Sequence, residues 1–533
     1  MEAGLRSLFG FDRVLNLIEP SGETGKFLRH NLPVWKPGQE ALLKKEYARL
    51  QTLLDSLKAG KKLSGQLHSC LVNLNRLPLT LKALEERPLS LPELFEVKKL
   101  THYVLLLRKL CTQANLLPHY PLPDLAVLYE ILDPDRLETP AFSLSPAFDP
   151  KLAKLLGQKQ ELLLALREEE EDLLNQARTA IGLNKTVREL VVSRSQTALL
   201  SKLQSTSFYS LISENFANLT FQLADSPALL KLRRQLSSLE TRLATTEEDV
   251  LAKLSRKVRP FAKSLAQATE IAALLDWDFA KARFTNTYNC TLPNIITACR
   301  IRLDKAVNLP VRMALESSGR RYQPLDLDFS APLNVLTGPN MGGKTTALLS
   351  LGLLCTMAQH ALPLPAAFAE LPLFDTIWFN QDGLQVENLS SFGREIVSLT
   401  AVLQKKGRTL LLLDELAKGT NPAEGEALLT AILAHCAAMP GITLAATHFD
   451  QPARLPQAKQ FAIKGIETAS LKQLLQSIPA DPEAQISLLN RLMDYNLAKQ
   501  TAKSKPPRNA ISIAAGLGLP AEIIQSAQNL LSR

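Results

Sequence analysis

The sequence predicts a mixed fold, a helical front half feeding an α/β back half. Apolar residues recur at three- and four-residue spacing through residues 1 to about 300, and glycine is sparse there. After about residue 320 the texture changes. Short apolar runs bounded by glycine and acidic residues alternate with helical patterns, as buried parallel strands with crossover helices do. A length of 533 residues allows about three or four domains at roughly 150 residues each, ample to bury real cores.

Composition narrows the class. Hydrophobic residues make up 46% and charged residues 21%, which argues against disordered, collagen-like and coiled-coil-only chains. No uncharged apolar run reaches the length of a membrane span, and the N-terminus (MEAGLRSLFGFDRVLNLIEP) lacks the apolar core and small-residue cleavage site of a secretory signal. The six cysteines lie far apart with no Cys-x-x-Cys pair, so zinc sites and a disulfide framework lose support. Reduced, buried thiols in a cytoplasmic protein are the expectation. The net charge of +9 is spread thinly, with one concentration at Lys253, Arg256, Lys257, Arg259 and Lys263. A solvated helix end explains that cluster as well as a phosphate contact does.

In chain order, the segment GQEALLKKEYARLQTLLDSLK (38–58) reads as an amphipathic helix, and proline-rich stretches at 117–123 and 139–150 interrupt the pattern. A long helix is predicted over about 150–182, with the acidic run Glu168 to Asp172 on a solvated face. A second begins at Ser226-Pro227, an N-cap followed by proline at the first helical position. Leu232, Leu236, Leu239, Leu243 and Val250 then recur at heptad-like spacing. Two long helices bracketing 183–225 predict an out-and-back arm with a small tip, where VRELVVSRS and NFANLTFQL alternate enough for short strands. In the back half, strands are predicted at 333–338, 376–379, 409–415 and 442–448.

The strongest chemical signal is the run Gly338, Pro339, Asn340, Met341, Gly342, Gly343, Lys344, Thr345, Thr346, which fits G-x-x-x-x-G-K-[ST] between an apolar strand and a helix. The glycines let backbone N–H groups turn inward around a triphosphate. Lys344 can reach the β and γ oxygens, and Thr345 offers its hydroxyl to Mg²⁺. About seventy residues on, the apolar run Leu410 to Leu413 ends in Asp414 and Glu415. A carboxylate at such a strand end can hold the Mg²⁺ shell, and its neighbour can orient the attacking water. Asp414 is assigned the first role and Glu415 the second. His448, at the end of the next strand, is placed to meet the γ-phosphate.

With these residues in view, a resemblance emerges. TGPNMGGKTT, with Asn-Met-Gly-Gly inside the loop, resembles the MutS family of ATPases, as do Asp414-Glu415-Leu-Ala-Lys-Gly419-Thr420-Asn421 and Leu389-Ser390-Ser391-Phe392 with Glu395. The tail NAISIAAGLGLPAEIIQSAQNLL is similar to that family's closing helix-turn-helix. The helical half matches more loosely, through FDRVLNLIEPSGETGKFLR and AQATEIAALLDWDFAKARF (266–284).

The resemblance implies a helical core (1–150), lever helices with a clamp-like tip (151–300, tip about 183–225) and a P-loop ATPase domain of ABC type (301–533). It also implies ATP and Mg²⁺ as cofactors and a homodimer or pseudo-dimer. In such a dimer Ser390 or Ser391 completes the partner's nucleotide site, and Tyr322 is the candidate for stacking on adenine. Mismatch-reading and connector domains are expected to be missing. DNA is the leading target, although Lys185, Arg188, Arg194 and Lys202 face Glu189, Glu214 and Asp225 at the tip, thin charge for a duplex clamp. A protein target is the alternative, as in ATP-dependent reactivating factors of cobalamin-dependent aminomutases. A mainly structural partner, with nucleotide only locking the dimer, is a third. No membrane is implied.

Overall fold

Two helix starts read from the sequence frame the front half. Ser226 Oγ accepts the Leu229 N–H at 3.0 Å, and Pro227 opens helix Pro227–Val258. Asp149 caps helix Pro150–Ile181 through the Lys151 N–H at 2.8 Å, and Gly182 closes it at φ 74°. The computed structural model describes residues 3–60, 62–183, 187–338, 343–380, 391–466, 493–499, 511 and 519–531. The described residues fall into two compact units, one of 73–110 with 121–271, the other of 1–72, 111–120 and 272–533.

In the first of these units the two long helices run antiparallel. Three contacts order them in opposite chain directions: Lys253 to Asp149 at 2.6 Å, Lys159 to Glu240 at 3.0 Å, and Ser226 Oγ to Glu169 at 2.8 Å. Leu239, Leu243 and Val250 are buried along the predicted stripe. At the far end sits a three-stranded antiparallel sheet in the order Glu189–Ser193, Asn218–Leu223, Tyr209–Glu214. It packs with helix Thr197–Ser205 on Leu173, Ala177 and Ile181. Two of these strands carry the alternation seen in the sequence. The third does not, because only Tyr209 of its six residues is buried.

The other unit holds two sheets. Five parallel strands run in the order Ala458–Ile466, Leu333–Thr337, Gly441–Ala446, Thr409–Asp414, Thr376–Phe379, with Met493–Lys499 antiparallel at one edge. All four strands predicted from the sequence are among them. A four-stranded sheet (Asn294–Ile296, Phe368–Pro372, Ile301–Ala306, Leu325–Phe329) lies outside the prediction and begins before residue 300. The front half is therefore helical only to about residue 290.

Helix Lys344–Gln359 is buried from Ser350 to Gln359 on every face, which explains its largely apolar texture. The sheet covers one side and N-terminal helices cover another. The Phe9 ring packs so closely on Gly352 that a Cβ there would meet Phe9 Cε1 at 2.4 Å. Tyr47 hydroxyl donates to the carbonyl oxygens of Ala358 and Leu362 at 3.1 and 3.2 Å. Residues at the start of the chain thus fix the helix that begins at Lys344.

His360, just past that helix, is 2% exposed. Its Nδ1–H donates to the Thr356 carbonyl at 2.8 Å, and its ring centroid lies 4.6 Å from that of Phe11. Burial pushes its pKa down to about 4, against about 6.5 in an unfolded chain. Below that unfolded value the unfolded chain takes up a proton that the folded one refuses, so stability falls as pH drops from about 6.5 to about 4. The loss is on the order of 3 kcal/mol at the acid end of that window. Urea midpoints at pH 7 and pH 4.5 should draw apart by less in His360→Gln than in the wild type. An unchanged gap would remove His360 as the cause.

Candidate nucleotide site

Gly343, at φ 83°, takes the left-handed conformation that starts helix Lys344–Gln359, a backbone costly for any residue with a Cβ. That turn sets Lys344 and Thr345 at the helix N-terminus, where backbone N–H groups and the helix dipole favour an anion. Lys344 Nζ donates to the Gly338 carbonyl at 2.9 Å and lies 3.0 Å from His448 Nε2 and 3.7 Å from Glu415 Oε1. Thr345 Oγ1 donates to Asp414 Oδ2 at 2.6 Å. Lys344, Thr345, Asp414, Glu415 and His448, separated by up to about a hundred residues in the chain, converge here. His448 lies two residues past the end of strand Gly441–Ala446.

Burial sets the electrostatics. It pulls the Lys344 ammonium below its usual range, against the opposing pull of Glu415 and Asp414. It raises the Asp414 carboxyl, which the Thr345 hydroxyl partly offsets. Burial also pushes Glu415 upward, but Lys418, His448 and Lys344 together hold it below the ordinary value. Lys418 Nζ lies 2.5 Å from Glu415 Oε2, and His448 Nε2 lies 2.7 Å from Oε1. A single Nε2 cannot both accept from Lys344 and donate to Glu415, so neither ring tautomer satisfies both contacts.

The oxygen donors suit Mg²⁺. One hydroxyl and one carboxylate in contact supply the few protein ligands the ion takes when phosphates and water complete an octahedron. Glu415 sits at φ 50° and Ala417 at φ 66°, left-handed positions that cost about 1 kcal/mol or more apiece and need holding. The Glu415 N–H donates to the Ala446 carbonyl at 2.9 Å, and the Ala417 N–H donates to the Glu395 carboxylate.

Other predicted residues stand apart from this group or outside the described residues. Tyr322 is half-buried. Its hydroxyl accepts the Asn308 N–H at 2.9 Å, beside Ser350 of the same helix as Lys344, and burial raises its pKa. Pro339, Asn340, Met341, Gly342 and Ser390 lie outside the described residues. Ser391 begins helix Ser391–Leu403, but its side chain also lies outside them. Thr346 offers its carbonyl to Ser350 Oγ at 2.6 Å. Sequence reading missed Lys418 and Asn380. Lys418 stands inside the quoted Asp414–Asn421 motif, where an acid–base spacing of three was visible. Asn380 is buried and bonds the Asp414 backbone at both its N–H and its carbonyl. A lone asparagine after a strand carries no signal.

A parallel sheet whose adjacent strand ends bring a helix-terminal lysine and threonine against an acidic pair defines a nucleotide-binding α/β domain. Residues 334–533 match the family described as MutS domain V. The chain is 29% identical over 312 residues to the endonuclease MutS2 of Caldanaerobacter subterraneus, which covers 57% of this chain and 36% of that one. It is 33% identical over 318 residues to the endonuclease MutS2 of Thermomicrobium roseum (56% and 36%). It is 31% identical over 310 residues to the DNA mismatch repair protein MutS of Thermus thermophilus (57% and 35%). The chain thus spans about a third of the length of the relatives it matches. Residues 334–533 therefore belong to the MutS domain V family, and the similarity to MutS2 and MutS proteins extends over 56–57% of the chain.

All six cysteines are free thiols. Among the described residues no helix is long and apolar enough to cross a membrane.

Proposed function

We propose that the protein binds and hydrolyses ATP with Mg²⁺ as a MutS-type dimer, and that nucleotide state moves the paired long helices on DNA. The observation that carries the ATPase reading is the contact of Thr345 with Asp414 at 2.6 Å, beside Lys344 and Glu415. Lys344 binds the β and γ oxygens of the nucleotide. Thr345 and Asp414 hold Mg²⁺, which when bound neutralises charge developing on the transferred phosphoryl group. Glu415 orients and polarises the attacking water, and His448 contacts the γ-phosphate. Gly338, Gly342 and Gly343 let the loop wrap the phosphates, Tyr322 stacks on adenine, and Ser390 or Ser391 completes the partner's site.

Three segments divide the work: core 1–150, levers and tip 151–300, and ATPase 301–533. DNA is the target the relatives' names support, through an endonuclease and a mismatch repair protein. Those names lend nothing to the reactivating-factor alternative. At the tip, Arg194 is paired with Glu214 at 2.8 Å and Arg188 with Glu170. In the basic cluster Lys253 is paired with Asp149, while the exposed Arg256 and Lys257 remain without a carboxylate partner among the described residues.

One titration tests the reading. Purified protein should hydrolyse ATP only with Mg²⁺, and a fluorescent duplex should bind with an affinity that falls as salt rises. Arg256→Glu with Lys257→Glu should reduce the log–log salt slope by about 2, near 0.9 for each phosphate that is no longer neutralised. Absence of Mg²⁺-dependent hydrolysis sinks the ATPase reading; hydrolysis without salt-dependent duplex binding sinks the DNA reading alone.

A further inference from the structure

The acidic pair stands at the end of a strand that loses one of its neighbours too early. Strand Thr409–Asp414 pairs on one side with Gly441–Ala446 through its whole length, Asp414 opposite Ala446. On the other side its partner, Thr376–Phe379, pairs only as far as Phe379 opposite Leu412. The Asn380 N–H still donates to the Leu412 carbonyl, at 3.2 Å. Beyond it, no strand among the described residues meets the Asp414 N–H and carbonyl on that side.

The Asn380 side chain fills the gap. Its Oδ1 accepts the Asp414 N–H at 2.7 Å, and its Nδ2–H donates to the Asp414 carbonyl at 2.9 Å. One carboxamide therefore supplies the donor and the acceptor that a further strand residue would have supplied. Asn380 is 4% exposed, and a buried amide is tolerated where both of its polar atoms are used. The Asp414 peptide is thus gripped from both sides, by a strand backbone on one and by a single side chain on the other.

We propose that Asn380 is a positioning residue for ATP hydrolysis, its carboxamide fixing the Asp414–Glu415 peptide against Thr345 and Lys344. This rests on the ATPase reading above. Asp414 carries the hydroxyl contact with Thr345, and Glu415 follows it at φ 50°. A rotation of this one peptide moves both carboxylates together. Displacements near 1 Å in such groups cost about a hundredfold in rate. Lys344 opens helix Lys344–Gln359 instead and bonds the Gly338 carbonyl, so nucleotide affinity stands apart from this brace.

Asn380→Ala should lower kcat about 10- to 100-fold and raise the Mg²⁺ concentration for half-maximal rate, with KM for ATP changed by less than about threefold. Asn380→Asp keeps the acceptor for the Asp414 N–H, removes the donor to its carbonyl, and preserves shape. Its kcat should lie between the alanine variant and the wild type, and it serves as the test should Asn380→Ala fail to fold. A folded variant of either kind with wild-type kcat and wild-type Mg²⁺ dependence overturns the proposal. So does a loss confined to KM, or a loss of kcat matched by an equal loss of melting temperature in both variants with the Mg²⁺ dependence unmoved. Glu415→Gln, assayed alongside, separates the two failures. If it turns over ATP normally, the ATPase reading falls; if it is inactive while the Asn380 variants are normal, only the positioning role falls.

Discussion

Lys344→Ala should lower ATP turnover by about 10³-fold or more. That is a barrier increase of ~4 kcal/mol. The ammonium is 5% exposed and anchored to the Gly338 carbonyl at 2.9 Å, so it is held in place before nucleotide arrives. Charge fixed in a partly dry site acts on a developing phosphoryl charge more strongly than the same charge in water, because neither water nor a rotamer has to be reordered. Nucleotide binding should weaken as well, since the lysine contacts ground-state oxygens. Glu415→Gln should behave differently. The amide keeps the size of the side chain and removes only the negative charge proposed to act on water, so ATP should bind and remain uncleaved. Melting temperatures should stay close to wild type in Lys344→Ala, because Glu415 keeps Lys418 and His448 as partners at 2.5 and 2.7 Å. Turnover by folded Lys344→Ala within tenfold of wild type would remove the lysine from the chemistry.

Much of this site was legible because its parts are local. A glycine turn before a lysine, and an apolar strand ending in two acids, are contiguous patterns whose backbone context is written beside them. Helix starts were legible for the same reason: Ser226 and Pro227 state a cap in two residues. What stayed hidden depends on distance in the chain. The strands at 294–296 and 301–306 are too short and too mixed for a period, and they pair with partners as far away as 368–372. The covering of helix Lys344–Gln359 by Phe9 and Tyr47 left no mark beyond apolar residues in the first fifty. The largely apolar stretch from Ala347 to Ala358, with Ser350 and Thr356 its polar residues, does not say what covers it. Asn380 shows the limit at the site itself. Its meaning comes from a ladder that stops two residues short on the neighbouring strand, and no single-sequence pattern reports that.

A second large effect is expected far from the nucleotide, at a charge buried among helices of the same unit. Asp278 is fully buried. Its Oδ2 accepts from Arg49 Nε at 2.6 Å and from the Tyr120 hydroxyl at 2.9 Å, while Lys281 Nζ approaches Oδ1 at 2.7 Å in a contact of charge rather than an aligned hydrogen bond. Arg49 is shared with Glu46, through bonds of 2.8 and 2.5 Å. Two cations and two carboxylates therefore balance, and the balance fails when one is removed. Asp278→Ala leaves Lys281, 2% exposed, beside an arginine with no second carboxylate to take up the charge. Removing one partner of a buried pair costs about 3–5 kcal/mol, which in a unit of this size lowers the melting temperature by roughly 10 °C. The double variant Asp278→Ala with Lys281→Met removes the orphaned charge along with its partner. It should be destabilised by at least about 1 kcal/mol less than the sum of the two single variants, as coupled neighbours are. Calorimetry on the four proteins reads the coupling directly. If Asp278→Ala melts within about 2 °C of wild type, or if the two losses simply add, the cluster is not balanced by charge, and the helices are held by their apolar contacts alone.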